Sequence, residues 1–214
     1  MKKIYCAVII LAFASKNFSQ DPCSEITKIN YGGQTYHTVA IGIQCWLKEN
    51  LNVGTMITGS QEQTNNGVIE KYCYNDDPEN CETYGGLYQW GEAMQYSTSE
   101  GAQGICPGGW HIPNWNDFQV LVSAIIQDEK ALNGQGLNQY GGAGTNKSRF
   151  SALKGGNRYS DGFFYDLNIT FDFWSSTETG TDSAVHLVPN LIDFETLIGN
   201  ENKNFGYSVR CMKD

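Results

Sequence analysis

Cys106-Pro107-Gly108-Gly109-Trp110-His111-Ile112-Pro113-Asn114-Trp115-Asn116-Asp117 decides the fold, because it carries a turn, an extended apolar step and the start of a helix. Pro113 cannot sit inside a helix, whereas Asn114 is a good N-cap and Asp117 favours the helix N-terminus. Phe118, Leu121, Val122, Ile125 and Ile126 then recur at the spacing of one buried helical face. Upstream, Leu87, Trp90, Gly91 and Met94 give a second, shorter helical pattern. Gln34 to Leu47 reads as a hairpin with Val39, Ile41, Ile43 and Cys45 on one parity and Gly42 at the bend. Residues 55–70 are polar and predict a loop, as does the Gly- and Asn-rich stretch 133–146. Downstream, Phe163–Leu167, Phe171–Ser176, Ala184–Val188, Asp193–Ile198 and Gly206–Met212 are short aromatic and β-branched runs between turn residues. Helices first and strands later predict an α+β domain with mainly antiparallel sheet and two principal helices.

The first twenty residues predict a secretory signal: Lys2 and Lys3, an apolar run from Ile4 to Ala14, then small and polar residues to Gln20. A lipoprotein anchor is the second reading, since Cys6 lies too early for one and Cys23 follows Asp21-Pro22. The apolar run falls short of the about 20 residues a membrane span needs, and no later stretch reaches that length. Residues 21–214 then form one domain without an internal repeat, secreted or held at the cell surface.

Six cysteines outlast the signal, an even count that reads as a disulfide framework in an exported chain. Cys73 and Cys81 bracket a short turn-rich segment and make a natural local pair, and Cys23 and Cys45 share the N-terminal segment. That leaves Cys106 with Cys211, a bridge closing roughly a hundred residues and stabilising by about 4–5 kcal/mol on the chain-entropy account. Losing Lys2, Lys3 and Lys16 takes Lys+Arg from 14 to 11 against 23 acids, a net charge of −12. Such a balance excludes nucleic-acid binding through phosphate neutralisation and adhesion to anionic lipid.

Several landmarks follow in order: Val39-Ala40-Ile41-Gly42 with Gln44, Trp46 and Glu49-Asn50-Leu51; Cys73-Tyr74-Asn75-Asp76-Asp77; and Tyr84-Gly85-Gly86-Leu87-Tyr88-Gln89-Trp90. Gly104 to Pro113, Phe150-Ser151-Ala152-Leu153 with Gly155-Gly156 and Arg158, Phe173 to Glu178, and Gly206 to Cys211 complete the series. Over roughly residues 30–214 this pattern resembles the Fibrobacter succinogenes major paralogous domain family of exported bacterial proteins. That family is similar in turn to the C-type-lectin-like fold, especially its sulfatase-modifying-factor branch, where a Trp-x-Leu-Pro step leads into a helix as Trp110-His111-Ile112-Pro113 does here. The resemblance implies a Cys106–Cys211 tie between the helix region and the last strand. Lys154 departs from it, standing where proline is expected before the double glycine.

Candidate site residues are weighed against simpler roles. Trp46, Trp90, Trp110 and Trp174 sit in apolar patterns and predict core. Trp115, flanked by Asn114 and Asn116, is a candidate for stacking on a sugar ring, against a packing role beside the hairpin. With Arg158, Tyr159 and Asp161 it makes the candidate ligand surface, carried by the loops between Gly134 and Arg158 and near Asp161–Glu178. Asn75, Asp76, Asp77, Glu79 and Asn80 offer a dense oxygen set for calcium inside the small disulfide loop, against a solvated turn built from the usual turn residues. No other cofactor is expected. Asp161, Asp166, Asp172 and Glu178 are a second, weaker acidic set, and His37, His111 and His186 are too scattered for a metal signature. Trp115-Asn116-Asp117 and Val188-Pro189-Asn190 only superficially match lectin calcium motifs, and Asn146-Lys147-Ser148 and Asn168-Ile169-Thr170 match the N-glycosylation pattern.

Catalytic sets are absent from the sequence. The oxidases of the sulfatase-modifying branch use paired cysteines near the C-terminal end with copper, and Cys211 stands alone there. The chain therefore reads as a non-catalytic binding module for a glycan or a cell-envelope protein. A divergent oxidase or hydrolase of the same fold is the alternative, and a structural envelope component the third.

Overall fold

The computed structural model describes residues 21–125, 148–188 and 198–214. Its main sheet holds β1 (Lys28–Tyr31), β2 (Gln34–Ile41), β3 (Gln44–Leu47), β6 (Trp110–His111) and β12 (Met212–Lys213), ordered β1-β2-β3-β12-β6 with antiparallel pairing throughout. Gln44-Cys45-Trp46-Leu47 does not alternate because both faces of this sheet are covered, and all four residues are buried. Cys45 and Leu47 join a core with Tyr36, Tyr88, Trp90, Trp110 and Trp174, while Trp46 joins Val39, Ile41, Phe118, Leu121 and Phe150 on the other side. Ile43 departs from the expected parity: it is 81% exposed, since Gly42 (φ +58°) and Ile43 form the hairpin turn rather than strand.

Between the sheet strands the chain forms β4 (Thr55–Ile57), β5 (Glu70–Tyr72), α1 (Pro78–Tyr84), α2 (Trp90–Ala93) and α3 (Trp115–Ile125). Residues 55–70 are thus not all loop: β4 and β5 pair in parallel, Thr55 opposite Glu70. Helix α3 starts where expected. Asn114 Oδ1 accepts the Asp117 N–H at 3.1 Å and Asp117 Oδ2 accepts the Asn114 N–H at 2.8 Å, a reciprocal cap. Phe118, Leu121 and Ile125 are buried and Val122 packs beside them, while Ile126 lies outside the described residues.

The last third holds the hairpin β7 (Gly155–Arg158) with β8 (Phe164–Leu167), and a second antiparallel sheet ordered β11-β10-β9. Its strands are β9 (Phe173–Glu178), β10 (Ser183–Leu187) and β11 (Ile198–Asn202). The expected strand 193–198 falls outside the described residues except for Ile198. Gly206–Met212 is strand only at its end. Its earlier part runs between elements, with single bridges from Gly206 to Arg158, Tyr207 to Tyr88 and Ser208 to Phe173. A segment hydrogen-bonded on several sides has the apolar composition of a strand without a continuous ladder.

All three expected disulfides form: Cys23–Cys45, Cys73–Cys81 and Cys106–Cys211, the last spanning 105 residues. The four tryptophans assigned to the core are buried. Trp90 Nε1 donates to the Ser175 carbonyl and Trp174 Nε1 to the Tyr88 carbonyl, each at 2.8 Å. No helix among the described residues is long and apolar enough to cross a membrane.

His111 clasps the chain end to α3, with Nδ1 2.7 Å from Asp214 Oδ1 and Nε2 3.4 Å from Asp117 Oδ2. Burial lowers its pKa, but the hydrogen bonds to Asp117 and Asp214 outweigh burial and hold it above the ordinary histidine value. A raised folded-state pKa adds stability fully present below the unfolded value near 6.5 and lost as pH rises through the folded one. The melting temperature of the native protein should therefore fall relative to His111→Gln between pH 6 and 8, in thermal melts across that range. Parallel pH profiles would remove the clasp from the account.

Candidate functional site

The β7–β8 hairpin projects its turn, residues 159–163, from a base fixed by one buried cation. Arg158 is only 1% exposed. Its Nε and Nη2 donate to the Gly59 carbonyl at 2.9 and 2.6 Å, Nη1 to the Asn204 carbonyl at 3.1 Å, and Nη2 to Glu62 at 2.9 Å. The guanidinium also covers the Tyr72 ring, 4.6 Å from its centroid. Arg158 therefore leaves the expected ligand surface: its donors are spent on tying the 59–62 and 204 segments beneath the hairpin. Sequence places it directly beside the exposed turn, but all four residues of β7 are buried, Arg158 among them.

The turn closes through Tyr159 N–H to the Phe163 carbonyl and Gly162 N–H to the Tyr159 carbonyl, both 2.9 Å. Gly162 has φ +88°, and a Cβ there would meet the Gly59 carbonyl oxygen at 2.9 Å, so only glycine fits. Asp161 Oδ1 accepts the Phe163 N–H at 2.9 Å and Oδ2 accepts the Tyr165 hydroxyl at 3.2 Å. Outside this frame lies an aromatic surface. Tyr159 stacks on Phe205 with centroids 4.8 Å apart and an 8° angle, and Tyr165 tilts against Tyr159 at 4.5 Å. Phe163 is 66% exposed, while Tyr159 and Tyr165 are each more than a third exposed. Desolvation first, then nearby carboxylates, raise both tyrosine pKa values, so both hydroxyls stay neutral donors at neutral pH.

Of the expected surface residues, the structure therefore brings Tyr159 and Asp161 together. Trp115 belongs elsewhere: it is half-buried at the start of α3, its backbone N–H donating to Thr177 Oγ1 at 2.9 Å. Phe163, Tyr165 and Phe205 complete the surface and were not singled out in the sequence. Phe163-Phe164-Tyr165 was legible as strand, yet its alternation carried the signal: Phe164 turns in against Tyr74 at 5.4 Å and its neighbours turn out.

The oxygen-rich disulfide loop is largely committed to its own backbone. Asp76 Oδ1 accepts the Gly59 N–H at 2.7 Å, Asp77 Oδ1 caps α1 through the Glu79 N–H at 3.0 Å, and Asn80 Nδ2 donates to the Tyr74 carbonyl at 2.9 Å. Asn75 and Asp76 adopt φ near +57° and +56°, and Asn75–Glu79 are exposed. Among the described residues, no group of three or more His, Cys, Asp or Glu side chains is placed to hold a metal ion. The second acidic set is dispersed: Asp161 is in the turn, Asp172 is buried beside Asn157 and Thr170, and Glu178 pairs with Lys203. Each of the six described cysteines is bridged, Cys211 included.

Lys154, standing where the resemblance implies proline, is buried with no partner for its Nζ among the described residues, and burial lowers its pKa. A concavity of about 170 Å³ between β2 and α1 is lined in part by Tyr36, Glu49, Asn52 and Glu82. Its polar groups are already paired, Asn52 Nδ2 donating to Glu82 at 3.2 Å and Glu49 meeting His37 at 2.9 Å. The 133–146 loop, Asn146 and Pro189-Asn190 lie outside the described residues, whereas Asn168 is exposed and accepts the Tyr84 hydroxyl at 3.2 Å.

Comparison with known proteins gives one match. The model of the Fibrobacter succinogenes major domain covers residues 39–213. No curated protein and no solved structure matches the chain.

Proposed function

The chain belongs to the Fibrobacter succinogenes major domain family, and from that premise we propose that it is an exported, non-catalytic module that binds glycan through the β7–β8 hairpin. The carrying observation is the aromatic surface of Tyr159, Phe163, Tyr165 and Phe205 beside the Asp161 carboxylate, held over a buried arginine. Apolar C–H faces of a sugar pack on such rings, while carboxylate and phenol hydrogen-bond its hydroxyls. The frame beneath is rigid, so little ordering free energy opposes binding. Three disulfides suit an oxidising compartment, which favours the secretory reading of residues 1–20. A C-type-lectin-like arrangement of the α+β elements belongs to the same proposal.

The test is a glycan screen of the oxidised protein, followed by calorimetry on the best ligand with and without chelator. Tyr159→Ala with Phe163→Ala should weaken binding about tenfold or more while leaving the melting temperature close to native. Loss of binding in chelator would assign calcium a part, with Asn75–Asn80 as the first loop to mutate. A screen without any glycan, coupled with capture of an envelope protein or turnover of a substrate, would replace this reading by an interaction or enzymatic one. Stable cofractionation with the cell envelope and no ligand at all would favour a structural component.

A further inference from the structure

Charge around the β7–β8 hairpin is sorted between buried cations and open acids. Arg158, the last residue of β7, is buried, and its guanidinium already meets Glu62 and the Gly59 and Asn204 carbonyls. Lys154, just before β7, is buried as well. Lys203, two residues before the Phe205 ring, keeps 15% of its side chain exposed and is fully engaged. Its Nζ pairs with Glu178 at 2.6 Å, donates to the Gly180 and Thr181 carbonyls at 3.0 and 2.9 Å, and lies 4.5 Å from the Trp90 ring centroid. The acids are open by comparison. Asp161 in the turn is exposed, and Asp166 on β8 and Glu201 on β11 are half-buried. Among the described residues none of these three has a cationic partner. Their charges reach the rings: after burial, Asp166, then Asp172 and Glu201, push the Tyr159 pKa up, and after burial Asp161 does the same to Tyr165.

Exposed rings edged by unpaired carboxylates attract a cation in two ways. The ring face draws it through its quadrupole, and the carboxylate accepts a charge-assisted hydrogen bond. Phe163 is the most exposed of the four rings and stacks on no other ring among the described residues. Asp161 keeps acceptor capacity. Each of its oxygens takes one donor, the Phe163 N–H or the Tyr165 hydroxyl, and a carboxylate oxygen can accept a second. Resting on the glycan reading of this hairpin, we propose that its ligand carries free, protonated amines: a hexosamine chain without N-acetyl groups. The sugar C–H face packs on the aromatic surface while the ammonium sits between the Asp161 carboxylate and the Phe163 ring. The same unpaired acids repel uronic-acid and sulfated glycans. Acetylation removes the cation and leaves only stacking and neutral hydrogen bonds.

The test is calorimetric titration of the native oxidised protein with an oligomer of glucosamine, its N-acetylated counterpart, polygalacturonate and polylysine. At low ionic strength and about pH 6 the glucosamine oligomer is expected to bind about tenfold tighter than the acetylated one, with no binding of polygalacturonate. In about 1 M salt, where charges are screened beyond about 3 Å, the preference should shrink below about threefold. Asp161→Asn should bring the two oligomers to within about threefold at low salt. Should that variant loosen the turn, the salt dependence of the native protein decides alone. Equal affinity for the two oligomers, a preference indifferent to salt, or tighter binding of polygalacturonate overturns the amine and leaves the glycan reading standing. Binding of polylysine without any oligosaccharide, or no glycan bound at all, overturns the glycan reading and the amine with it.

Discussion

Removing the Cys106–Cys211 bridge by a double change to alanine is expected to lower the unfolding free energy by about 4.7 kcal/mol. The bridge closes 105 residues, against 22 for Cys23–Cys45 and 8 for Cys73–Cys81. The chain-entropy account gives about 3.4 and about 2.6 kcal/mol for those two, so the order of losses is itself part of the prediction. A second effect points the same way. Cys106 and Cys211 are fully buried in the core with Ile105, Trp110 and Val209, so their replacement also leaves packing defects. Together these account for a large share of the about 5–15 kcal/mol that folds a typical domain. Urea unfolding of the native protein and the three paired variants measures it. If the Cys73–Cys81 variant loses as much as the Cys106–Cys211 variant, loop length is not what sets the contribution.

That bridge was legible in the sequence, and so were the helix after Pro113 and the core tryptophans. Each rests on local information: a cap, a 3.6-residue period, or an even cysteine count with one close pair. The misread stretches depend on what the chain meets far away. Ile43 has the composition of a strand but occupies the turn that Gly42 opens, and parity alone does not show where a hairpin bends. Residues 55–57 and 70–72 pair where Gln63 Nε2 donates to the Glu70 carbonyl, Glu92 accepts the Glu70 N–H and the Tyr72 hydroxyl donates to the Gln61 carbonyl, a network invisible before tertiary contact. Gly206 to Arg210 has strand composition because it is buried, while its partners are three separate elements. At the candidate site the same limit applies. Tyr159 and Asp161 could be found from a turn motif, but the ring that supports Tyr159 comes from Phe205, 46 residues on. Arg158 could be given its inward role only once Gly59 and Asn204 were known to lie beneath it.

Arg210→Met is the second large expected loss, about 4–5 kcal/mol, because the side chain is a buried cation that several acceptors depend on. Arg210 is wholly buried. Its Nη1 donates to the Phe150 carbonyl at 2.7 Å and the Leu47 carbonyl at 3.2 Å, and Nε donates to Asn50 Oδ1 at 3.2 Å. The guanidinium lies over Phe150 and Phe173, 4.6 and 5.1 Å from their centroids. Burial pushes its pKa down to about 9, with the Glu49 charge pulling upward, so it remains a cation at neutral pH. Among the described residues no carboxylate bonds it: the charge is met by carbonyl dipoles and ring faces. Methionine fills much of the volume and restores none of the donors, leaving two carbonyls and the Asn50 amide oxygen unsatisfied. Lysine keeps the charge but cannot reach several acceptors through a planar fork, so Arg210→Lys should be nearly as damaging. Urea midpoints with near-ultraviolet circular dichroism measure both variants. A methionine variant with the native midpoint would mean that water replaces the guanidinium at these carbonyls. A stable lysine variant beside an unstable methionine one would shift the weight from fork geometry to charge. The comparison separates the two things this residue does: it joins β3 and the Phe150 segment to the C-terminal thread, and it holds a cation with no counter-ion in contact among the described residues.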